Sequence, residues 1–342
     1  MARIFEKKIP YPVDEGLRKY LKTYGREMSL PILYADLLRY SEGVTLYDKF
    51  GNDTFWISLL YAQDDLKHIN QSLKQIYAIL KANGDLSVMQ HLYVDRIDLC
   101  LYGNSQPFRV RIVNNINDNF DYFYIKNADA SRIYGLELEH ILSPNRISYV
   151  VDKDTLIEEH IAGIPGQDFI SQYLMEGKVV NEIRLAKEFV KFNERCFVRL
   201  LGDMHSSNYV VEIMPDFEDV HYRIRAIDFD QQSYEPRKSI YMPQYFKQNM
   251  AIIDVGLKHM NATTVRQYQK EERAMIASRI RYSSQQINDL MRYMVRSRLS
   301  REEYIDQLKQ ELADHYQDNR FIHCSTMGEI VNLSLEILID NN

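Results

Sequence analysis

The order of strand-like and helix-like segments in the middle of the chain limits its possible folds more than any other feature. Three short runs with alternating apolar residues come first: VDRIDLCLY, PFRVRIVN and FDYFYIKN. A helical pattern over residues 131–142 then ends at Pro144, and two more strand-like runs follow, RISYVV and TLIEEHI. After the glycine- and proline-containing segment 162–166, helical patterns dominate. Successive strands followed by successive helices predict an α+β chain with two lobes, the first of which holds a small antiparallel sheet.

The first ninety residues have a pattern of their own. Residues 17–40 have helical periodicity, and the run VTLYDKFGNDTFWISLLY alternates around a turn, as is typical of a β-hairpin. A helix is predicted to begin at Asp64 or Asp65 and to end near Gly84, because its apolar residues recur at helical spacing. We therefore expect three parts: an α/β extension over residues 1–90, packed on or extending the first lobe, a sheet lobe with one helix over 91–161, and a helical lobe over 162–342.

The composition excludes several classes of protein. The 342 residues include 42 basic and 48 acidic side chains, and this excess of negative charge argues against a general nucleic-acid partner. No stretch approaches the roughly 18 apolar residues of a membrane helix, and the N-terminus lacks the apolar core of a secretory signal. The three cysteines are far apart, without a CxxC pair, which argues against a disulfide framework or a zinc ribbon. A cytoplasmic protein without a membrane partner is expected.

The strongest local signal is the segment GDMHSSN at residues 202–208, followed by the strand-like run YVVEI and by IDFD at 227–230. Phosphoryl transfer from ATP requires a carboxylate that accepts the proton of the attacking hydroxyl, oxygen ligands for Mg²⁺ and a cation that binds the phosphates. The spacing puts Asp203 and Asn208 on one tight loop. A hairpin then returns the chain, so that Asp228 meets Asn208 at the metal.

This order, G-D-x-H-x-x-N, a hairpin and I-D-F-D, resembles the catalytic region of the aminoglycoside phosphotransferase and choline kinase-like group of the protein kinase-like superfamily. The run FYIK at 123–126 resembles the strand that carries the phosphate-binding lysine, and LIEEHIAG at 156–163 resembles the hinge whose backbone contacts adenine. The resemblance covers residues 93–235 in the family's order. It implies a bilobal protein kinase-like fold that binds ATP and Mg²⁺.

The resemblance also implies a role for each matching residue. Asp203 would be the general base or would position the acceptor hydroxyl, and His205 would orient the loop. The implied metal ligands are Asn208 and Asp228, with Asp230 as a second carboxylate on the same side of an extended strand as Asp228. The implied nucleotide-binding residues are Lys126, with Glu137 or Glu139 as its salt-bridge partner, Glu159 and Ile161 in the hinge, and Gly103 in the loop over the phosphates.

Three departures from the family pattern leave the acceptor open. Leu201 stands where the family has the first histidine of its H-G-D-x-H loop, the loop 101–107 has a single glycine, and no G-D-P-x-x-D-L motif follows Asp230. In addition, the segment 266–301 holds nine basic and three acidic residues, which indicates either a solvated helix face or a surface for an acidic partner.

We expect an ATP- and Mg²⁺-dependent phosphotransferase that acts on a hydroxyl of a small molecule or, as the second choice, of a protein. Two alternatives stay open: a catalytically weak pseudokinase that binds nucleotide or recruits a partner, and AMP transfer on the same fold. The sequence Asp203-Met204-His205 also resembles the opening of a binuclear metallophosphoesterase. That family needs downstream G-D-x-x-D and G-N-H motifs, and neither occurs here.

Overall fold

The computed structural model describes residues 8–82, 84–102, 105–217 and 219–341. Contacts between residues divide the chain into two compact units. Unit one comprises the residues up to Ala130 together with Ile147–His160, and unit two comprises Ser131–Arg146 together with the residues from Ile161 onward. Unit one contains an antiparallel sheet and unit two is mostly helical, so the α+β prediction is confirmed.

Unit one is built on a seven-stranded antiparallel sheet with the strand order β1-β2-β3-β4-β5-β7-β6. The hairpin predicted within the first ninety residues forms β1 and β2 and pairs with β3, so it continues this sheet. The elements of unit one are α1 (Glu15–Thr23), α2 (Tyr34–Leu37), β1 (Glu42–Tyr47), β2 (Asp53–Leu60), α3 (Gln63–Lys81), β3 (Leu92–Cys100), β4 (Phe108–Asn114), β5 (Phe120–Asn127), β6 (Tyr149–Asp152) and β7 (Thr155–Glu159).

The two faces of this sheet differ in character. Phe123 and Ile125 of β5 are buried in an apolar cluster that also contains Leu73 and Ile76 of α3. Because successive side chains of a strand point to opposite faces, Tyr124 and Lys126 lie on the other face. The strand pattern therefore places Lys126 away from the helix-covered side.

The helix predicted over residues 17–40 is wrong in its length. The structure has α1, which ends at Thr23, and only the single turn α2, which begins at Tyr34. Gly25 follows α1 with a φ of 67°, a left-handed conformation that ends helices and that glycine adopts without strain. Pro31 lacks a backbone N–H and also interrupts a helical ladder.

Unit two consists of helices and one main β-hairpin. Its longest helices are amphipathic, and the side chain of Asn181 caps α6 by accepting a hydrogen bond from the N–H of Arg184 (3.0 Å). None of the helices in the described parts of the chain combines the length and the apolar character that crossing a membrane requires. The elements are β8 (Ile164–Pro165), α5 (Gly166–Phe169), α6 (Glu182–Val198), β9 (Tyr209–Pro215), β10 (Val220–Ala226), α7 (Met250–His259), α8 (Ala262–Tyr282), α9 (Ser284–Met294), α10 (Glu302–Tyr316) and α11 (Met327–Asp340).

The helix α4 (Ala130–Leu142) agrees with the helix predicted over residues 131–142, and all but its first residue belongs to unit two. The hydroxyl of Tyr134 lies 2.8 Å from that of Ser297. The buried Glu139 of α4 pairs with Arg199, which follows α6, while Arg195–Glu272 (3.4 Å) and Arg273–Glu194 (2.5 Å) join α6 to α8. The hydrogen bond and the Glu139–Arg199 pair fix α4 within the helical unit.

Candidate functional site

The loop 200–208 follows α6 and has an unusual backbone. Asp203 has a φ of 61°, a left-handed conformation that aspartate adopts more readily than most residues with a side chain. Its N–H donates to the carbonyl of Ile240 (3.0 Å), and its own carbonyl accepts from the N–H of His205 (2.9 Å). These bonds hold the strained conformation in place, and such conformations cluster at functional sites.

Backbone hydrogen bonds join this loop to the segment 227–233, which follows β10. The strand β10 ends at Ala226, and the chain then turns. The prediction of an extended strand that continues through Asp230 is therefore wrong. The bonds between the two segments are Gly202 N–H to Gln231 O (3.2 Å), Ile227 N–H to Asn208 O (3.0 Å) and Ser233 N–H to Leu200 O (2.8 Å). Three predicted site residues, Asp203, Asn208 and Asp228, therefore lie on two segments that are held side by side.

Asn208 is oriented by the backbone of the same loop. Its Nδ2 donates to the carbonyl of Asp203 (2.8 Å). Within the described residues its Oδ1 has no hydrogen-bond partner, so this oxygen is available to a ligand.

Asp228 and Asp230 share a cation that the sequence analysis missed. Nη1 of Arg132, in the first turn of α4, donates to Oδ1 of Asp228 (2.8 Å) and to Oδ1 of Asp230 (2.7 Å). The Arg132 side chain is 1% exposed, whereas that of Asp228 is 38% exposed. A basic residue in the first turn opposes the helix dipole. Because a cation is unfavourable at this end of a helix, Arg132 could have been predicted from the sequence to have an anionic partner.

Burial and a neighbouring charge change the acidity of the loop side chains. Burial, and then the negative charge of Asp228, raise the pKa of Asp203 to about 7. Burial lowers the pKa of His205, while Asp228 opposes that shift. Nδ1 of His205 accepts from the N–H of Ser207 (3.3 Å), so the neutral ring carries its proton on Nε2, which lies 3.8 Å from Oδ2 of Asp203. The loop therefore presents a carboxyl group that titrates near neutral pH beside a neutral imidazole.

In unit one, Lys126 has a partner on the neighbouring strand. Its Nζ donates to Oε2 of Glu158 (3.0 Å), and both side chains are buried. The pairing of β5 with β7 puts Tyr124 opposite Glu158, so Lys126 reaches Glu158 diagonally on the same face.

The two glutamates of α4 have other partners. Glu139 pairs with Arg199 and accepts from Ser143 (2.7 Å), and Glu137 accepts from Gln286 (3.3 Å). Although burial acts in the opposite direction, Arg199 holds the pKa of Glu139 below its usual value. Within unit one Lys126 is paired with Glu158, and its pairing with Glu137 or Glu139 stays a prediction.

The predicted hinge residues are partly engaged within unit one. The N–H of Glu159 donates to Ser148 (3.0 Å), and its carboxylate lies 3.2 Å from Nζ of Lys81. Ile161 is buried at the start of the second part of unit two. Gly103, predicted in the loop over the phosphates, lies outside the described residues.

The nine basic residues of the segment 266–301 fall into three groups. Arg273 and Arg279 are partly exposed and pair with Glu194 and Glu272, and Arg301 is partly buried. The exposed members are Arg266, Lys270, Arg281, Arg292, Arg296 and Arg298. The ion pairs therefore explain only part of the local excess of positive charge.

The donor set around Asp228 fits a magnesium ion better than a transition metal. Asn208 Oδ1 and Asp228 Oδ2 are hard oxygen donors without a hydrogen bond in the described parts of the chain. In the same parts, no group of three or more His, Cys, Asp or Glu side chains has a metal-binding arrangement. Mg²⁺ is commonly held by one or two carboxylates together with substrate phosphates, so a sparse oxygen set of this kind suffices.

No protein-family model and no curated protein matches this sequence. Among solved structures, the autoinhibited serine kinase domain of the giant muscle protein titin is 13% identical and aligns over 72% of this chain and 92% of its own, with a TM-score of 0.27. The Rad53 kinase domain with SCD2 is 14% identical over 66% of this chain and 82% of its own, with a TM-score of 0.23. Titin kinase with its flanking domains is 13% identical and aligns over 72% of this chain and 54% of its own, with a TM-score of 0.27. Scores this low carry no argument about activity, substrate or partner.

Proposed function

We propose that this protein is an ATP- and Mg²⁺-dependent phosphotransferase of the protein kinase-like kind, acting on a hydroxyl of a small molecule or of a protein. The observation that carries the proposal is the loop 200–208 held against the segment 227–233, with Asp203, Asn208 and Asp228 on the two. A carboxyl group that titrates near pH 7 beside two unengaged oxygen donors is what a phosphotransferase needs at its acceptor side.

Asp203 is the residue proposed to act on the acceptor. Its carboxylate accepts the proton of the attacking hydroxyl while the hydroxyl oxygen bonds to the γ-phosphorus of ATP and the bond from that phosphorus to the β-phosphate oxygen breaks. ADP leaves with the electron pair of the broken bond. The raised pKa of Asp203 makes it a stronger base than an ordinary aspartate, yet leaves it ionised in a large fraction of molecules at neutral pH. His205 holds the loop by its bond from Ser207.

Asn208 and Asp228 are the residues proposed to hold Mg²⁺, each through the oxygen that has no hydrogen bond in the described residues. A bound Mg²⁺ would neutralise the negative charge of the polyphosphate. Asp230 supports the site by pairing with Arg132.

Lys126 is proposed to bind the α- and β-phosphates, and Glu158 is proposed to keep its ammonium in place. The pair lies on adjacent strands of one sheet, so its position depends on strand register alone. A cytoplasmic location remains part of the proposal, and the free thiols of Cys100, Cys196 and Cys324 agree with it.

The test measures ATP consumption by the full chain with Mg²⁺ and a panel of hydroxyl acceptors, with products identified by mass. ADP with a phosphorylated acceptor supports the proposal, whereas pyrophosphate with an adenylylated acceptor would show AMP transfer. Asp203→Asn and Asp228→Asn should each lower turnover at least about a hundredfold. The exposed Asp216 on the turn after β9 serves as the matched control, and Asp216→Asn should leave turnover unchanged. Absence of both ATP consumption and a thermal shift with Mg²⁺·ATP would refute the proposal.

A second candidate function is a nucleotide-binding pseudokinase. It is favoured because the charged groups proposed to bind the phosphates and Mg²⁺ are already paired with other side chains. Lys126 is paired with Glu158, and Arg132 already neutralises part of the charge of Asp228. ATP binding without turnover, in which Lys126→Met weakens binding and Asp203→Asn does not, would support this candidate instead.

A further inference from the structure

We infer that Arg132 is a positioning residue of the metal site, which fixes Asp228 so that its Oδ2 is the oxygen left for the cation. The inference rests on the proposed function, since it assigns a role within the same site. Its basis is the way in which one buried guanidinium nitrogen is shared by two carboxylates.

The contacts use only one oxygen of Asp228. Oδ1 accepts from Nη1 of Arg132 (2.8 Å) and from the N–H of Asp230 (3.0 Å). Two donors on one oxygen fix both the position and the plane of the carboxylate. Oδ2 accepts no hydrogen bond from any described residue, and the side chain is 38% exposed. The carboxylate of Asp228 is therefore held by Oδ1, while Oδ2 is accessible to a cation.

Arg132 is itself held in place. It lies in α4, where Gly135 approaches Phe229 so closely that a Cβ at Gly135 would lie 3.1 Å from the Cβ of Phe229. The hydroxyl of Ser131 donates to the carbonyl of Gln232. Because α4 packs against the segment 227–233 at these points and Arg132 is 1% exposed, the guanidinium has no open path away from the carboxylates.

A rival interpretation is that Arg132 takes the place of the metal and must be displaced before a cation binds. The two interpretations predict opposite signs for a neutral substitution. Removal of a positive charge near a divalent cation relieves repulsion and favours metal binding. Weaker binding after that removal would therefore arise from lost orientation of Asp228, as is usual when the partner of a metal ligand is removed.

The experiment measures the dissociation constant of Mn²⁺, used as a paramagnetic probe in place of Mg²⁺, by electron paramagnetic resonance. Full-length protein is compared with and without a non-hydrolysable ATP analogue. Arg132→Gln should raise the dissociation constant about tenfold or more. The control Arg273→Gln removes an arginine of unit two that pairs with Glu194 and not with Asp228, and it should leave the dissociation constant unchanged. An unchanged or lower dissociation constant in Arg132→Gln overturns the inference.

A second pair of variants keeps the test decisive if Arg132→Gln does not fold. Arg132→Gln/Asp230→Asn removes one charge of each sign, and it is compared with Asp230→Asn alone. The double variant should bind Mn²⁺ more weakly than the single one, and equal binding overturns the inference. The variant Asp228→Asn tests the proposed metal site itself, independently of Arg132. If it binds Mn²⁺ as the unaltered protein does, the proposed metal site fails and this inference with it.

Discussion

At the scale of single residues, two features of Asp203 lower the stability of the folded protein. Its backbone is held at a φ of 61°, and its carboxyl group is ionised at neutral pH in surroundings that raise its pKa to about 7. The backbone conformation is held by hydrogen bonds to Ile240 and His205, and the pKa is raised first by burial and then by the nearby Asp228. Both features lower the free energy of unfolding, and the effect of the ionised carboxyl group depends on pH.

We predict that Asp203→Asn stabilises the metal-free protein more at pH 8 than at pH 5. The folded pKa lies above the unfolded value, so the native state binds the proton more tightly and loses stability as pH rises from about 4 through about 7. Asparagine cannot ionise and also tolerates the left-handed backbone. The measurement is the unfolding temperature of both proteins over this pH range. A difference that is independent of pH would contradict the raised pKa.

At the scale of elements, α4 shows which properties of a helix can be predicted from its sequence. Its existence and bounds followed from apolar spacing and from Pro144. Its partners did not, because spacing along one helix does not say which arginine will meet Glu139. The strands were also predictable, because their alternating apolar residues are a local pattern. The partner of Lys126 was not, because it depends on the register between β5 and β7.

We predict that Glu139→Gln destabilises the protein by about 3–5 kcal/mol, because it leaves the buried Arg199 without its counter-charge. The control Glu42→Gln, at the exposed start of β1, should change stability by no more than about 0.5 kcal/mol. Urea unfolding of both variants measures the difference. Equal free energies of unfolding would show that the Glu139–Arg199 pair does not hold α4.

A double-mutant cycle tests the other pair. Lys126→Met and Glu158→Gln should be coupled by about 0.5–3 kcal/mol, since the two groups are buried and in contact. A coupling close to zero would show that the Lys126 ammonium and the Glu158 carboxylate do not stabilise each other.

At the scale of the whole chain, the first ninety residues supply part of the core of unit one. Leu73 and Ile76 of α3 are fully buried in the cluster that covers Phe123 and Ile125. The sequence predicted an α/β extension packed on or extending the first lobe, because its pattern changes near residue 91. A change of pattern marks a change of elements, but the burial of an apolar face shows which elements fold together.

We predict that a chain beginning at residue 91 does not fold. It would expose one face of the sheet and lose the strands β1 and β2. Circular dichroism should show no cooperative thermal transition. The point variant Leu73→Ala, in the full chain, should cost about 2–5 kcal/mol of stability. A cooperative transition in the truncated chain would show that the sheet needs no cover from α3.

The pairing of Lys126 with Glu158 has a consequence for control of the protein. Both groups lie on hydrogen-bonded neighbouring strands, so their separation is set when the sheet forms. The movement of a helix would leave these two strands, and with them the pair, in register. If Lys126 binds phosphates as proposed, control of that binding would therefore act on another part of the molecule.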